Sequence, residues 1–295
     1  PPNGWIQNTN NTPFSAAGEF SPKKENYPIY MANNPENFRG IHAVKVLAHK
    51  SDFTLDTLIE AAYEPTLTAF EQLVPELILI TTTNDNQEQQ FPIQSETLLY
   101  IDLLRNWDLK ASVDSEATSL AIYWAEEMRS SLSDDAAAAG ISIYDYMIEQ
   151  SNTSQKLRAL RIAAEKLTAD FGSWQVPWGE INRYQRNNGN IVQQFDDSKP
   201  SIAVGFASSR WGSLASFGAR TYPGTKRMYG TSGNSFVAAV EFGDRVRAKA
   251  ITVGGLNSDP ASEHFADQAQ MYARGNFRDV LFYREDIEEN LERTY

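Results

Sequence analysis

Apolar residues recur at helical spacing through the middle of the chain, then alternate like strands toward its end. Asn34 suits a cap, Pro35 the first helical position and Glu36 the positive end of a helix carrying the stripe Phe38, Ile41, Val44 or Lys45, and Ala48. Thr54 caps a second helix with Leu55, Leu58, Ile59 and Ala62 on one face, stopped by Pro65. Thr66 is expected to begin another that ends near Pro75. Further helices are expected over 95–105, 115–130, 142–149 and 154–171. The last has Leu157, Leu160, Ala164 and Leu167 on one face and Gly172 at the C-cap position. Residues 34–172 thus read as almost wholly helical.

The two ends differ from this middle. Residues 1–33 are irregular and rich in Asn, Pro, Gly and Ser. After Trp174, glycine, serine and aromatics rise, and 235–242 and 247–253 read as strands joined by a turn at Gly243-Asp244. A short helix over 265–274, a last strand over 280–283 and a solvated tail helix over 284–293 complete the expectation. The architecture is a helical block inserted between an N-terminal segment and a β-rich C-terminal part, the two ends sharing one sheet-containing unit.

Composition narrows the function. Among 295 residues, 41% are hydrophobic and 22% charged, values of an ordinary globular chain. No run approaches the roughly 18–20 apolar residues of a membrane span. A formal net charge of -12 argues against nucleic acid and against an anionic membrane as partner. The absence of cysteine excludes thiol catalysis and zinc–thiolate sites. The N-terminal residues carry no basic n-region and no apolar h-region of a signal peptide, and a chain opening on Pro1-Pro2 is expected to be a fragment or a processed product.

The common catalytic templates are missing: no G-x-S-x-G, H-E-x-x-H, P-loop or dinucleotide fingerprint occurs. Gly230-Thr231-Ser232-Gly233 resembles a nucleophile elbow with its second glycine one place early, and reads better as a turn that starts a strand. His42 and His49 lie seven apart on one side of the first helix, too distant to share a metal, and read as surface or core-edge residues. His264 has no evident partner in sequence; a serine hydrolase using it is a rival reading. Asp134-Asp135 and Asp196-Asp197 read as solvated loop charges. There remains the amide-rich stretch Gly4-Trp5-Ile6-Gln7-Asn8-Thr9-Asn10-Asn11-Thr12-Pro13. A side-chain amide is a good neutral donor to a developing oxyanion. Asparagine also tolerates left-handed backbone, so on chemistry alone the cluster reads first as a turn.

That stretch resembles the G-[WY]-I-x-N-x-N-[ND]-x-P segment of the penicillin acylase family, which includes the acyl-homoserine lactone and aculeacin-type acylases. Three more stretches are similar in order. They are Leu104-Arg105-Asn106-Trp107-Asp108 with Asp114-Ser115 and Trp124; Trp178-Gly179-Glu180-Ile181-Asn182-Arg183; and Gly254-Gly255 through Pro260, Ser262, His264, Asp267 and Gln268. The resemblance implies an α+β chain, part of an αββα N-terminal-nucleophile hydrolase sandwich. The core would be 1–45 and 174–295, with 46–173 as the helical block. It implies an amidohydrolase acting on an N-acyl small molecule, with an N-terminal serine as nucleophile and its own α-amine as base. Asn10 corresponds to the oxyanion-hole asparagine, and Arg39 to the active-site arginine that follows it. A helix-surface role for Arg39 is the competing reading.

The departures set the remaining expectations. The chain opens on Pro1, so the serine is expected upstream, and the partners implied are an α-chain and an N-terminal β-chain segment of the same precursor. Asn182 replaces the family's histidine, and 256–259 departs from its Q-S-G-N. No counterpart of a calcium-ligand aspartate appears near Pro28 to Met31, so no metal and no cofactor is expected. Family habit implies a periplasmic or secreted location. The alternative from another class is a non-catalytic binding or structural module on the same scaffold.

Overall fold

Side-chain caps start five of the α-helices among the described residues, all of them between Asn37 and Gly172. The computed structural model describes residues 1–82 and 93–291. The helix α1 (Phe38–Ala48) starts at Asn37, whose side chain accepts the Gly40 N–H. The cap is thus Asn37 rather than Asn34, because Glu36 is drawn off to the N-terminal segment. In α2 (Leu55–Ala62), Thr54 and Thr57 form a reciprocal capping box. The next helix, α3 (Phe70–Thr82), runs straight through Pro75. A proline inside a helix costs about 3 kcal/mol. Burial of Leu73, Val74 and Leu77 outweighs it, at about 1.5–3 kcal/mol for each large side chain. Thr66, expected to start that helix, instead bridges Lys110 as a single β-pair.

The remaining helices of the block are α4 (Ser95–Arg105), α5 (Glu116–Ser131), α6 (Ser133–Ala139), α7 (Ile143–Asp145, continued by a wider turn over Tyr146–Gln150) and α8 (Thr153–Phe171). The expected 95–105 element matches α4 end for end. Asn152 and Gln155 cap α8 reciprocally, and Gly172 closes it in the left-handed conformation. Asp134 and Asp135 lie in the first turn of α6 rather than in a loop, where carboxylates complement the helix dipole. Residues 117–125 of α5 are buried without interruption, so this helix is enclosed on every side. It packs most extensively on α8, with Leu120, Trp124 and Met128 against Leu160, Ala164 and Leu167, while Ile101, Leu104, Leu73 and Leu77 complete the cluster.

The C-terminal part follows with α9 (Trp178–Ile181), β1 (Asn182–Tyr184), β2 (Ile202–Ala203), β3 (Phe217–Arg220) and β4 (Met228–Gly233). These strands form one sheet in the order β2-β1-β4-β3, with β1 and β4 parallel and the other pairs antiparallel. The hairpin expected at the end of the chain is β5 (Phe236–Glu241) and β6 (Arg247–Thr252), paired antiparallel from Phe236 with Thr252 to Glu241 with Arg247. The last strand is β7 (Arg278–Asp279), just before the expected 280–283, and pairs with β6. The helix α10 (Ala269–Arg274) packs on β2 and β6. Tyr272, Ala269, Phe206, Phe217 and Ile251 form a second core there. The tail helix is α11 (Arg284–Glu289), whose Glu285 and Asp286 both hold Arg245.

Gly230-Thr231-Ser232-Gly233 is neither an elbow nor a turn: it lies within β4. A Cβ at Gly230 would sit inside the ring of Phe217 on the neighbouring strand, so the glycine makes room for a core aromatic. The class is α+β, with a large helical cluster and two small sheets.

Candidate active site

The amide-rich stretch folds as a turn whose side chains are nearly all engaged. Gln7 reaches back to Ser15, its N–H donating to the Ala16 carbonyl and its Nε2 to the Ser15 carbonyl. Asn8 accepts the Asn10 N–H on Oδ1 at 2.8 Å, closing an Asx turn that carries Asn10 at φ 62°, in the left-handed region. Asn11 donates through Nδ2 to Ser15 Oγ at 3.0 Å and to Glu36 Oε1 at 2.7 Å, and its Oδ1 accepts the Thr9 N–H.

The turn is gripped from the other side by the start of α1. Asn37 caps the helix through Oδ1 and donates through Nδ2 to the Thr9 carbonyl at 3.1 Å. Arg39 donates from one terminal nitrogen to that same carbonyl at 2.6 Å and to Asn10 Oδ1 at 2.5 Å. Gly40 lets the two pieces meet: a Cβ there would fall inside contact distance of Glu36 Oε1, Asn11 Nδ2 and Thr9 Oγ1.

The Arg39 contact decides how the Asn10 amide points. A guanidinium has donors and no acceptor, so the Asn10 atom facing it must be the carbonyl oxygen. The NH2 is thereby turned away from Arg39, and it makes no hydrogen bond among the described residues. The adjacent positive charge draws density from the carboxamide and makes that NH2 a stronger donor. Burial lowers the Arg39 pKa from its ordinary value, yet a guanidinium stays charged at any working pH. Its Nε is buried and unpartnered, as is Thr9 Oγ1. Asn10 itself is exposed, and the cavity between α5 and the four-stranded sheet is lined by neither Asn10 nor Arg39.

Helix α1 is held in turn by the body of the protein. Thr68 Oγ1 donates to the Phe38 carbonyl at 2.7 Å, and the Phe38 ring meets Tyr144 edge-on. His42, expected at a surface or core edge, is 2% exposed and lies between two acceptors. Its Nδ1 is 2.7 Å from the Gly212 carbonyl and its Nε2 2.6 Å from Glu64 Oε2. Glu64 also accepts from the Thr66 N–H and hydroxyl. Burial pushes the Glu64 carboxyl up, but the Thr66 donors and His42 outweigh it and hold the pKa below its ordinary value. His49 is exposed at the C-cap of α1, so the two histidines do not share an environment.

The other flagged residues are structural in their contacts. His264 lies exposed on a 3-10 turn, with Nδ1 2.9 Å from Asp267 Oδ2, so it does have a partner nearby in sequence. Asp197 accepts from the Tyr229 hydroxyl and the Lys226 N–H, fastening the 185–201 loop to β4. Asn182, standing where the family motif has histidine, is fully buried and donates to the Val204 and Phe206 carbonyls.

Four ordered motifs and this clamp coincide with a match over nearly the whole chain. Residues 1–289 match the sequence model of penicillin amidase. The chain belongs to the penicillin amidase family. Among solved structures it is similar to the thermostable penicillin G acylase from Alcaligenes faecalis, at 14% sequence identity and a TM-score of 0.49. That likeness covers 92% of this chain and 55% of the acylase chain, so the chain spans just over half the length of that relative. Among the described residues no helix is long and apolar enough to cross a membrane.

The family motif pointed to Asn10 and Arg39, which the structure brings into contact, and gave no sign of Glu36, Asn37 and Gly40 beside them. Their partners lie 25 to 28 residues away in sequence for Glu36 and Asn37, beyond any local pattern. One signal was available: an asparagine directly before the apolar Phe38 is a cap position in its own right.

Proposed function

We propose that this penicillin amidase family chain forms part of an acylase that hydrolyses the amide of an N-acyl small molecule, with Asn10 as the oxyanion donor. The observation that carries the reading is the Arg39 contact to Asn10 Oδ1, which leaves the NH2 fixed and unpartnered. A donor held in place before reaction costs no reorganisation when charge develops, and such a donor contributes about 3–4 kcal/mol to transition-state stabilisation.

The nucleophile in this reading is a serine at the start of a segment upstream of Pro1. Its Oγ attacks the acyl carbon while its own α-amine takes the proton; an α-amine has a pKa of about 7.7–8.0 and is partly neutral at working pH. The C–N bond breaks as the tetrahedral oxyanion collapses, and the ammonium returns its proton to the departing amine. Water then hydrolyses the acyl ester. The exposed apolar side chains Ile29, Tyr30 and Phe242 support contact with further segments of the same precursor. The proposed division is a core of 1–45 and 174–295, part of an αββα sandwich, with 46–173 as a helical insertion. A periplasmic or secreted location goes with this reading.

The test is kinetic, on the intact enzyme. Asn10→Ala is expected to lower kcat by about 10^2–10^3 with KM little changed, because the bond forms only in the transition state. Arg39→Lys keeps the charge but loses the planar fork, and is expected to lower kcat about tenfold. A loss below about threefold in Asn10→Ala removes the oxyanion role. The 295-residue chain alone is expected to show no turnover of an N-acyl substrate, and turnover there overturns the upstream nucleophile.

A further inference from the structure

A second concentration of arginines among the described residues lies away from the Asn10–Arg39 clamp. Where α5, α9, β3 and β4 meet, a cavity of about 620 Å³ opens between the helical block and the four-stranded sheet. This is within the range of about 300–1,000 Å³ common for small-molecule sites. Its charged lining is Arg129, Arg210 and Arg220 against Glu126 alone: three positive less one negative, a net +2. The whole chain carries -12. A cationic hollow in so acidic a protein concentrates the field on anions.

The three arginines are not equally committed. Glu126 accepts from both Arg129 at 2.9 Å and Arg210 at 2.8 Å, so one carboxylate is shared between two guanidinium groups. Arg220, at the exposed end of β3, has no ion-pair partner among the described residues; its guanidinium lies 4.9 Å from the Tyr222 ring centre. The more buried part of the lining is rich in aromatic side chains. Trp178 and Trp211 form it with Phe217 and Met228, and both indole N–H groups are buried without a partner. Asn182 in the same wall is fully buried with Oδ1 unpartnered. Such groups cost free energy unless something satisfies them.

We propose that this cavity binds a small carboxylate with a flat apolar body, the carboxylate at Arg220 and Arg210 and the body along the Trp178–Trp211 wall. Planar guanidinium groups match a carboxylate edge to edge, and a lining rich in aromatic side chains matches an apolar body. The cavity shares no residue with Asn10 or Arg39, so the proposal stands apart from the acylase reading.

The experiment is calorimetric titration of the intact protein with 3-phenylpropionate, its neutral isostere 3-phenylpropionamide, and inorganic phosphate. Saturable binding of the carboxylate is expected, with the amide at least about tenfold weaker, and phosphate unable to displace it at equal concentration. Arg220→Gln is expected to weaken binding about fivefold, in keeping with one solvent-exposed charge contact. Arg210→Gln combined with Arg220→Gln is expected to abolish this saturable phase, while Asn10→Ala leaves it unchanged. Arg220 is exposed and makes no ion pair, so the single variant reports on binding rather than on folding. Equal affinity for carboxylate and amide overturns the proposal. So does binding that the double variant leaves intact, or displacement by phosphate at equal concentration.

Discussion

The helical block and the N-terminal clamp are held by opposite means. In the block, α5 packs against α8, α4 and α9, and its stability comes from apolar burial that has no direction and much redundancy. In the clamp, residues 7–15 bury little apolar surface and are fixed by a chain of directed bonds from Asn11, Glu36, Asn37 and Arg39. The block tolerates error and sets stability, whereas the clamp sets the position of one amide. Burial makes a scaffold, and hydrogen bonds between groups far apart in sequence fix one turn against it.

The contrast is broken most severely from the block's side. Trp124 is fully buried and its indole N–H donates to the Lys156 carbonyl, joining α5 to α8. Trp124→Ala is expected to cost about 3–5 kcal/mol in urea unfolding, from the cavity and the lost bond together. It is expected to leave the Asn10–Arg39 contact intact wherever the protein remains folded. A loss below about 1 kcal/mol shows that the block can collapse around the gap, and that its packing is less specified than the burial implies.

The clamp is probed by a change of a single methyl group. Gly40→Ala drives a Cβ into Glu36 Oε1 and Asn11 Nδ2, neither of which can retreat without giving up a partner. Overpacking of this kind costs about 1–3 kcal/mol. The distinguishing readout is activity of the intact enzyme, expected to fall about tenfold or more as the grip on residues 8–11 loosens. By contrast, alanine is the better helix former by roughly 1 kcal/mol at an unconstrained position. A more stable and fully active Gly40→Ala variant therefore shows that the close approach does not matter.

The same division explains what the sequence disclosed. Caps and apolar periods are local, so Thr54 and Gly172 marked helix ends, and the 95–105 helix was placed end for end. Pro75 misled because a breaker was weighed without the buried leucines around it. The hairpin β5–β6 was legible from two apolar runs around Gly243-Asp244. The four-stranded sheet was not, since β1 is Asn-Arg-Tyr, β2 is two residues, and β4 holds two glycines whose reason lies on the neighbouring strand. At the candidate site the motif singled out Asn10, while the direction of its amide depends on Arg39, 29 residues later. His42 read as a core-edge residue because neither Glu64 nor Gly212 is visible from its own helix.

That buried histidine supplies the smallest of the expected effects, and it tests whether the body of the protein holds the clamp by charge. Glu64 accepts from His42 and twice from Thr66, and its pKa in the folded protein is held below the ordinary value. A carboxyl whose folded pKa is depressed contributes stability that is complete above its unfolded pKa, about 4.3, and is lost as pH falls through the folded value. Glu64→Gln removes the titration and keeps most of the shape. Glu64 is partly open to water, so the expected loss near neutral pH is modest, about 1 kcal/mol. The gap between wild type and variant should then close as pH drops below about 4, since the protonated wild-type side chain resembles the amide. Urea midpoints of both proteins from pH 7 to pH 3 measure this difference directly, other carboxylates being common to the two. A gap that stays constant across that range shows that the His42–Glu64 contact acts through shape alone, and that no charge anchors α1 beneath Arg39.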